Sequence, residues 1–144
     1  MSLESGFVDA NVLIYSVNED APQHSSARAL LASATYGSTT LSVNSQILCE
    51  FYSVVTNRRR VLSPRSSQEA IQALSEFARV FRVLPTSPQS FDILADLLRR
   101  RPVTGSDIFD LQIVAAMIAN GIHRIYNFNA ADFQPFSELE VIVP

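Results

Sequence analysis

Apolar residues follow two rhythms along this chain. Short unbroken runs at residues 7–9, 39–43, 82–84, 124–128 and 141–143 are bounded by turn-forming residues, the pattern of short strands buried on both faces. The segments between them repeat at helical spacing. Residues 24–33 do so, and residues 45–59 carry Ile47, Leu48, Phe51, Val54 and Val55 on one stripe. Ser66 and Glu69 form a capping-box pattern ahead of residues 70–80, and Ser87-Pro88 opens a helix expected to reach Arg100. Residues 106–120 are apolar nearly all round and stop at Gly121, which suits the left-handed position after a helix. Strands without alternation, separated by helices, predict an α/β fold: three layers, α/β/α, around a mainly parallel central sheet.

Composition narrows this picture. A chain of 144 residues with 47% hydrophobic and 17% charged content reads as one folded domain, 1–144, rather than a disordered chain. Its longest apolar runs fall short of the roughly 20 residues a membrane span needs, so no membrane association is expected. No basic stretch followed by a long apolar one marks a secretory leader, and a cytoplasmic location is the expectation. Cys49 is the single cysteine, and His24 and His123 are far apart, which excludes an internal disulfide and a thiolate zinc cluster. A metal here would be held by oxygen.

The formal charge of −3 argues at first against a nucleic-acid partner. Its distribution changes that reading. All eleven basic residues are arginine, and six fall in two runs, Arg58-Arg59-Arg60 and Arg99-Arg100-Arg101. Such runs suit solvated helix C-termini, where cations meet the negative end of the dipole, and they also suit phosphate contacts. The absence of lysine excludes a phosphate-binding lysine and a Schiff base, and four glycines leave no Gly-rich phosphate loop.

The informative residues are acids in apolar surroundings, because an unpaired buried carboxylate is costly. Asp9 lies where the first strand ends, in the position where parallel α/β folds bind ligands. Asp9 or Asn11 also suits capping a helix that begins at Val12. Glu50 falls at the edge of its apolar stripe, within inward reach or with its head in water. Asp110 sits between Ile113, Val114 and Met117 on a helix almost without a polar face, whereas Asp107, three residues earlier, fits a dipole role in the first turn. Asp132 ends a strand-to-loop stretch rich in turn residues. Two acids from strand ends and two from helices can be gathered into one crevice, where they stay ionised only with cations between them. Oxygen ligands without cysteine or histidine select magnesium or manganese, whose chemistry at such a cluster is phosphodiester hydrolysis.

These residues bring a family into view. The chain resembles the PIN-domain family, particularly the VapC-like toxin ribonucleases of bacterial and archaeal toxin–antitoxin pairs, over almost its whole length. FVDANVLIY resembles the first family motif, placing Asp9 as a metal-binding acid with Asn11 beside it. SQILCEFYSVVTNR resembles the second, carrying Glu50, and GSDIFDLQIVAAMIANGI the third, whose spacing favours Asp110 over Asp107. NFNAADFQPF resembles the fourth, with Asp132 and a supporting Asn129; Asn127 stands where the family often has Thr or Ser. Each motif is weak alone, and the four in this order are specific. The resemblance implies a Mg2+- or Mn2+-dependent endoribonuclease acting on RNA, a homodimer, and a cognate antitoxin near the active site. Asp9, Glu50, Asp110 and Asp132 would hold the metal and carry catalysis, Asn11, Asp107, Asn127 and Asn129 would support them, and the arginine runs would contact RNA. Setting those four acids aside leaves a charge of about +1, which need not repel RNA. Three rival readings stand beside this one. A phosphoryl-accepting signalling domain conflicts with the missing lysine; a stand-alone PIN ribonuclease of RNA processing and a catalytically silent PIN-like binding module remain open.

Overall fold

The computed structural model describes residues 4–144. Five short strands form one all-parallel sheet: β1 (Gly6–Val8), β2 (Leu41–Val43), β3 (Arg82–Val83), β4 (Arg124–Tyr126) and β5 (Glu140–Ile142), in the spatial order β3-β2-β1-β4-β5. The connections carry six helices, namely α1 (Ala10–Val17), α2 (His24–Thr35), α3 (Ser45–Val55), α4 (Ser67–Val80), α5 (Pro88–Arg100) and α6 (Ile108–Ala119). From β1 the chain steps twice in one direction, to β2 and β3, and then returns across the sheet to β4. Right-handed crossovers therefore put α1 to α4 on one face and α5 with α6 on the other, giving the three layers. The reversal of direction falls between β1 and β4, which makes their carboxyl ends the switch point of the sheet.

Local chemistry explains where the elements begin and end. Ser66 caps α4 by accepting from the Glu69 N–H while the Glu69 carboxylate accepts from the Ser66 N–H, the reciprocal box its sequence predicts. Asn44 and Ser87 cap α3 and α5 through the Ile47 and Ser90 N–H groups. Gly121 follows α6 at φ +70°, a conformation that side chains with a Cβ avoid. Several boundaries differ from the periodicity: the strands expected over 39–43 and 124–128 are shorter, a 3-10 turn at Gly105–Asp107 precedes α6, and two helix ends have a clear local cause. Helix α3 ends at Val55 rather than Arg59, because the Thr56 hydroxyl turns back onto the Tyr52 carbonyl and Asn57 folds an Asx turn onto the Arg59 N–H. Helix α1 begins at Ala10 rather than Val12, with Asp9 as its cap.

The core runs along both faces of the sheet. Phe7, Val8 and Val43 in the strands, Val12 and Leu13 in α1, Ile47 and Phe51 in α3, and Val114 and Met117 in α6 are fully buried, or nearly so. Full burial of side chains this size stabilises by roughly 1.5–3 kcal/mol each before entropy is counted. Gly6 marks the closest approach: a Cβ there would lie 2.9 Å from the Arg124 carbonyl oxygen of the neighbouring strand. Among the described residues, no helix is long and apolar enough to cross a membrane.

Candidate active site

Asp9, Asn44 and Asn127 each directly follow a strand, and the register of β2 and β4 against β1 sets them in one row along the carboxyl edge. All three are buried polar side chains in an otherwise apolar neighbourhood. Asp9 is only 8% exposed, and its Oδ1 accepts from the Ala10 N–H at 2.8 Å. From one face α3 brings Glu50 over this edge, and from the other α6 brings the half-buried Asp110 in its first turn. Asp132 arrives from a short 3-10 turn, Ala130–Asp132, after β4.

Charge couples these four acids. Burial is the main force on Asp9; the Ala10 N–H opposes it, Glu50, Asp110 and Asp132 reinforce it, and the carboxyl is pushed up to about 7. Asp110 is pushed up to about 6, by burial first and then by Asp132, Glu50 and Asp107. The four share one electrostatic neighbourhood, although among the described residues no three acids, histidines or cysteines close into a finished coordination sphere. Asp107 lies in an exposed turn, Gly105–Asp107, and meets the group only through Asp110.

The predicted asparagines form a chain of amides behind the acids. Asn11 Nδ2 donates to Asn127 Oδ1, which also accepts from the Asn129 N–H at 2.7 Å. Asn11 Oδ1 in turn accepts from the Phe128 N–H at 3.2 Å, and Asn129 Nδ2 donates to Asp132 Oδ1 at 3.0 Å. The turn holding Asp132 is thus moored to the start of α1. Asn127 is fully buried, with its Nδ2 free of any partner among the described residues.

The arginine runs occupy two different settings. Arg58, Arg59 and Arg60 are exposed beyond the far end of α3 from the sheet's carboxyl edge. Arg99 is exposed at the end of α5, while its two neighbours are engaged. Arg100 pairs with Asp96 at 3.1 Å and Glu138 at 3.3 Å, and Arg101 donates to the Pro135 carbonyl at 2.6 Å and covers the Phe136 ring. These contacts tie α5 to the loop that follows Asp132.

One residue beside the acids escaped the sequence reading. Gln46 Nε2 donates to Glu50 Oε1 and to the Phe109 carbonyl, each at 3.2 Å, so it bridges α3 to the start of α6. The signal was the four-residue spacing of Gln46 and Glu50, which puts them on one helix face.

A sequence profile of the family described as PIN domain matches residues 6–135. This chain belongs to the PIN-domain family. The matched span of the PIN domain includes all four acids. Ribonuclease VapC43 of Mycobacterium tuberculosis is 30% identical to it over 115 residues, covering 78% of each chain. Among solved structures, Mycobacterium tuberculosis VapC20, described as a sarcin-ricin loop cleaving toxin, matches this PIN domain with a TM-score of 0.70 at 19% identity, over 96% of this chain and 98% of that one. VapBC2 from Rickettsia felis, bound to a DNA fragment from their promoter, gives 0.66 at 17% identity, over 97% and 98%. At these identities the structural matches establish a shared fold.

Proposed function

We propose that this PIN domain is a divalent-metal-dependent endoribonuclease acting as the toxin of a toxin–antitoxin pair. The observation that carries the reading is the convergence of Asp9, Glu50, Asp110 and Asp132, from four separate segments, on the switch point of a parallel sheet. Identity to a VapC ribonuclease and likeness to VapBC assemblies support the substrate class and an antitoxin partner. A homodimer is part of the same proposal, on the family resemblance.

The residues fit a hard cation. Every donor is a carboxylate or amide oxygen, and the upward push on Asp9 and Asp110 is repulsion and desolvation that a cation relieves. Asp9, Glu50 and Asp110 would hold Mg2+ or Mn2+, with Asp132 contributing directly or through water. The ion supplies positive charge for the phosphodiester oxygens and lowers the pKa of water. Asn11, Asn127 and Asn129 fix the position of Asp132, and Gln46 fixes that of Glu50.

The test is cleavage of an RNA pool by purified protein with Mg2+, Mn2+ or chelator, with Asp110→Asn as the control. Cutting that needs metal and falls by roughly a hundredfold or more in the variant is expected for loss of one preorganised charge. No cutting with either ion, together with no metal binding by calorimetry, would overturn the reading.

A further inference from the structure

Beside the acids, over the carboxyl ends of β2 and β3, lies a cavity of about 220 Å3 walled by α3, α5 and α6. Its lining includes Asn44, Gln46, Thr86, Ser90, Phe91 and Gln112, and it contains no charged side chain. We propose that this cavity receives the base of a nucleotide adjoining the scissile phosphate, and so sets which RNA sequences are cut. The proposal rests on the ribonuclease reading above.

Three observations carry it. First, the cavity and the acid cluster share a wall: Gln46 lines the cavity while its Nε2 holds Glu50 and the backbone next to Asp110. A ligand seated there is therefore a neighbour of the group at the metal. Second, the lining has base-reading chemistry in the Gln112 amide, which both donates and accepts, beside the amides of Asn44 and Gln46, whose Oδ1 and Nε2 are held by Ile47 and by Glu50 with Phe109. Gln46 Oε1, on this shared wall, is buried and has no partner among the described residues, which leaves its accepting capacity unspent. Third, Phe91 is 68% exposed among the lining residues, an aromatic face available for stacking. Phosphate suits the cavity less well. No arginine lines it, and the N–H groups of Ile47 and Ser90 at the two adjoining helix starts are already taken by Asn44 and Ser87. The volume lies below the roughly 300–1,000 Å3 of pockets that enclose drug-sized ligands, which fits one planar ring system rather than a larger group.

The experiment is cleavage of a randomised single-stranded RNA library with Mn2+, reading the cut ends by sequencing, for wild type, Phe91→Ala, Phe91→Trp and Gln112→Ala. Wild type is expected to show a base preference at one position beside the cut. Phe91→Ala should lower kcat/KM roughly tenfold and flatten that preference, as loss of one stacking contact does, with Phe91→Trp restoring both. Gln112→Ala should alter the preferred base, and Mn2+ affinity should be unchanged throughout. Wild-type cutting with a preference that neither alanine variant alters overturns the base pocket and leaves the ribonuclease reading intact. A fall in Mn2+ affinity, or a changed oligomeric state by light scattering, assigns Phe91 to the metal site or to a contact between copies and likewise overturns it. A wild type that cuts no library member overturns the base pocket, and the ribonuclease reading falls with it only where calorimetry also shows no Mn2+ binding.

Discussion

Asp9 carries two loads at once. It caps α1 through the Ala10 N–H, and it is the most deeply buried of the four acids. Its carboxyl titrates near 7 in the folded chain against 3.8 for the ordinary group, so between those values the folded state holds a proton that the unfolded state has released. Stability from this group is full below about 4 and is lost as the pH rises through about 7. Asparagine can cap equally well and carries no charge. Asp9→Asn is therefore expected to raise the metal-free unfolding free energy by about 1–3 kcal/mol at pH 8 and to change it little at pH 4, read by urea denaturation at both values. The opposite sign at pH 8 would mean that the carboxylate is already compensated.

At the scale of elements, β1 is the narrowest tolerance in the fold. Gly6 leaves no room for a Cβ against the Arg124 carbonyl of β4, and backbone cannot move aside as a flexible side chain can. Gly6→Ala should cost about 1–3 kcal/mol in chemical denaturation and weaken metal binding, because Asp9 directly follows the same short strand. The strands themselves were legible in the sequence as short runs bounded by turn residues, but the expected burial on both faces holds only for the inner strands β1, β2 and β4; the edge strands β3 and β5 are exposed or half-buried because each has a neighbour on one side only. Their ends were less so. Asp9 and Asn127 still donate their N–H groups to the Tyr126 and Ile142 carbonyls of the neighbouring strands, but their side chains turn to the Ala10 N–H and to Asn11, and the Phe128 N–H goes to Asn11 Oδ1, so the strands end there. The overlong reading of α3 has the same origin: periodicity cannot see Thr56 and Asn57 turning their side chains onto local backbone.

The whole molecule holds its acids at close quarters at some expense to its own stability, and a cation reverses that balance. Mg2+ or Mn2+ is expected to raise the melting temperature in proportion to its binding, by the linkage between ligand and folded state. The rise should be largest above pH 7, where Asp9 and Asp110 have lost their protons, and should fade by pH 5, where both are protonated. Thermal scans with metal and with chelator across that range check it, and a rise independent of pH would exclude these carboxyls as ligands. Asp9, Glu50 and Asp110 were visible in the sequence through their apolar flanks, whereas Asp132, exposed in a turn-rich stretch, was tied to them only by the motif order. The neighbouring cavity was not visible, because its walls come from residues 44–46, 86–94 and 112–116, and no local pattern announces that such distant segments meet.

The bonds from Arg100 and Arg101 to the loop after Asp132 give the crevice a mechanical character. Helix α5 supplies Phe91 to the cavity, packs along α6 with its Asp110, and is fastened at its end to the loop that follows Asp132. Asp9 and Asn44 stand instead on the sheet edge, with Glu50 on the helix that Asn44 caps. The crevice is thus braced across its width, since the amide chain moors the Asp132 turn to α1 and Gln46 ties α3 to the start of α6. Base and phosphate of a bound RNA would meet one frame, so loosening any single tie shifts the grip on both.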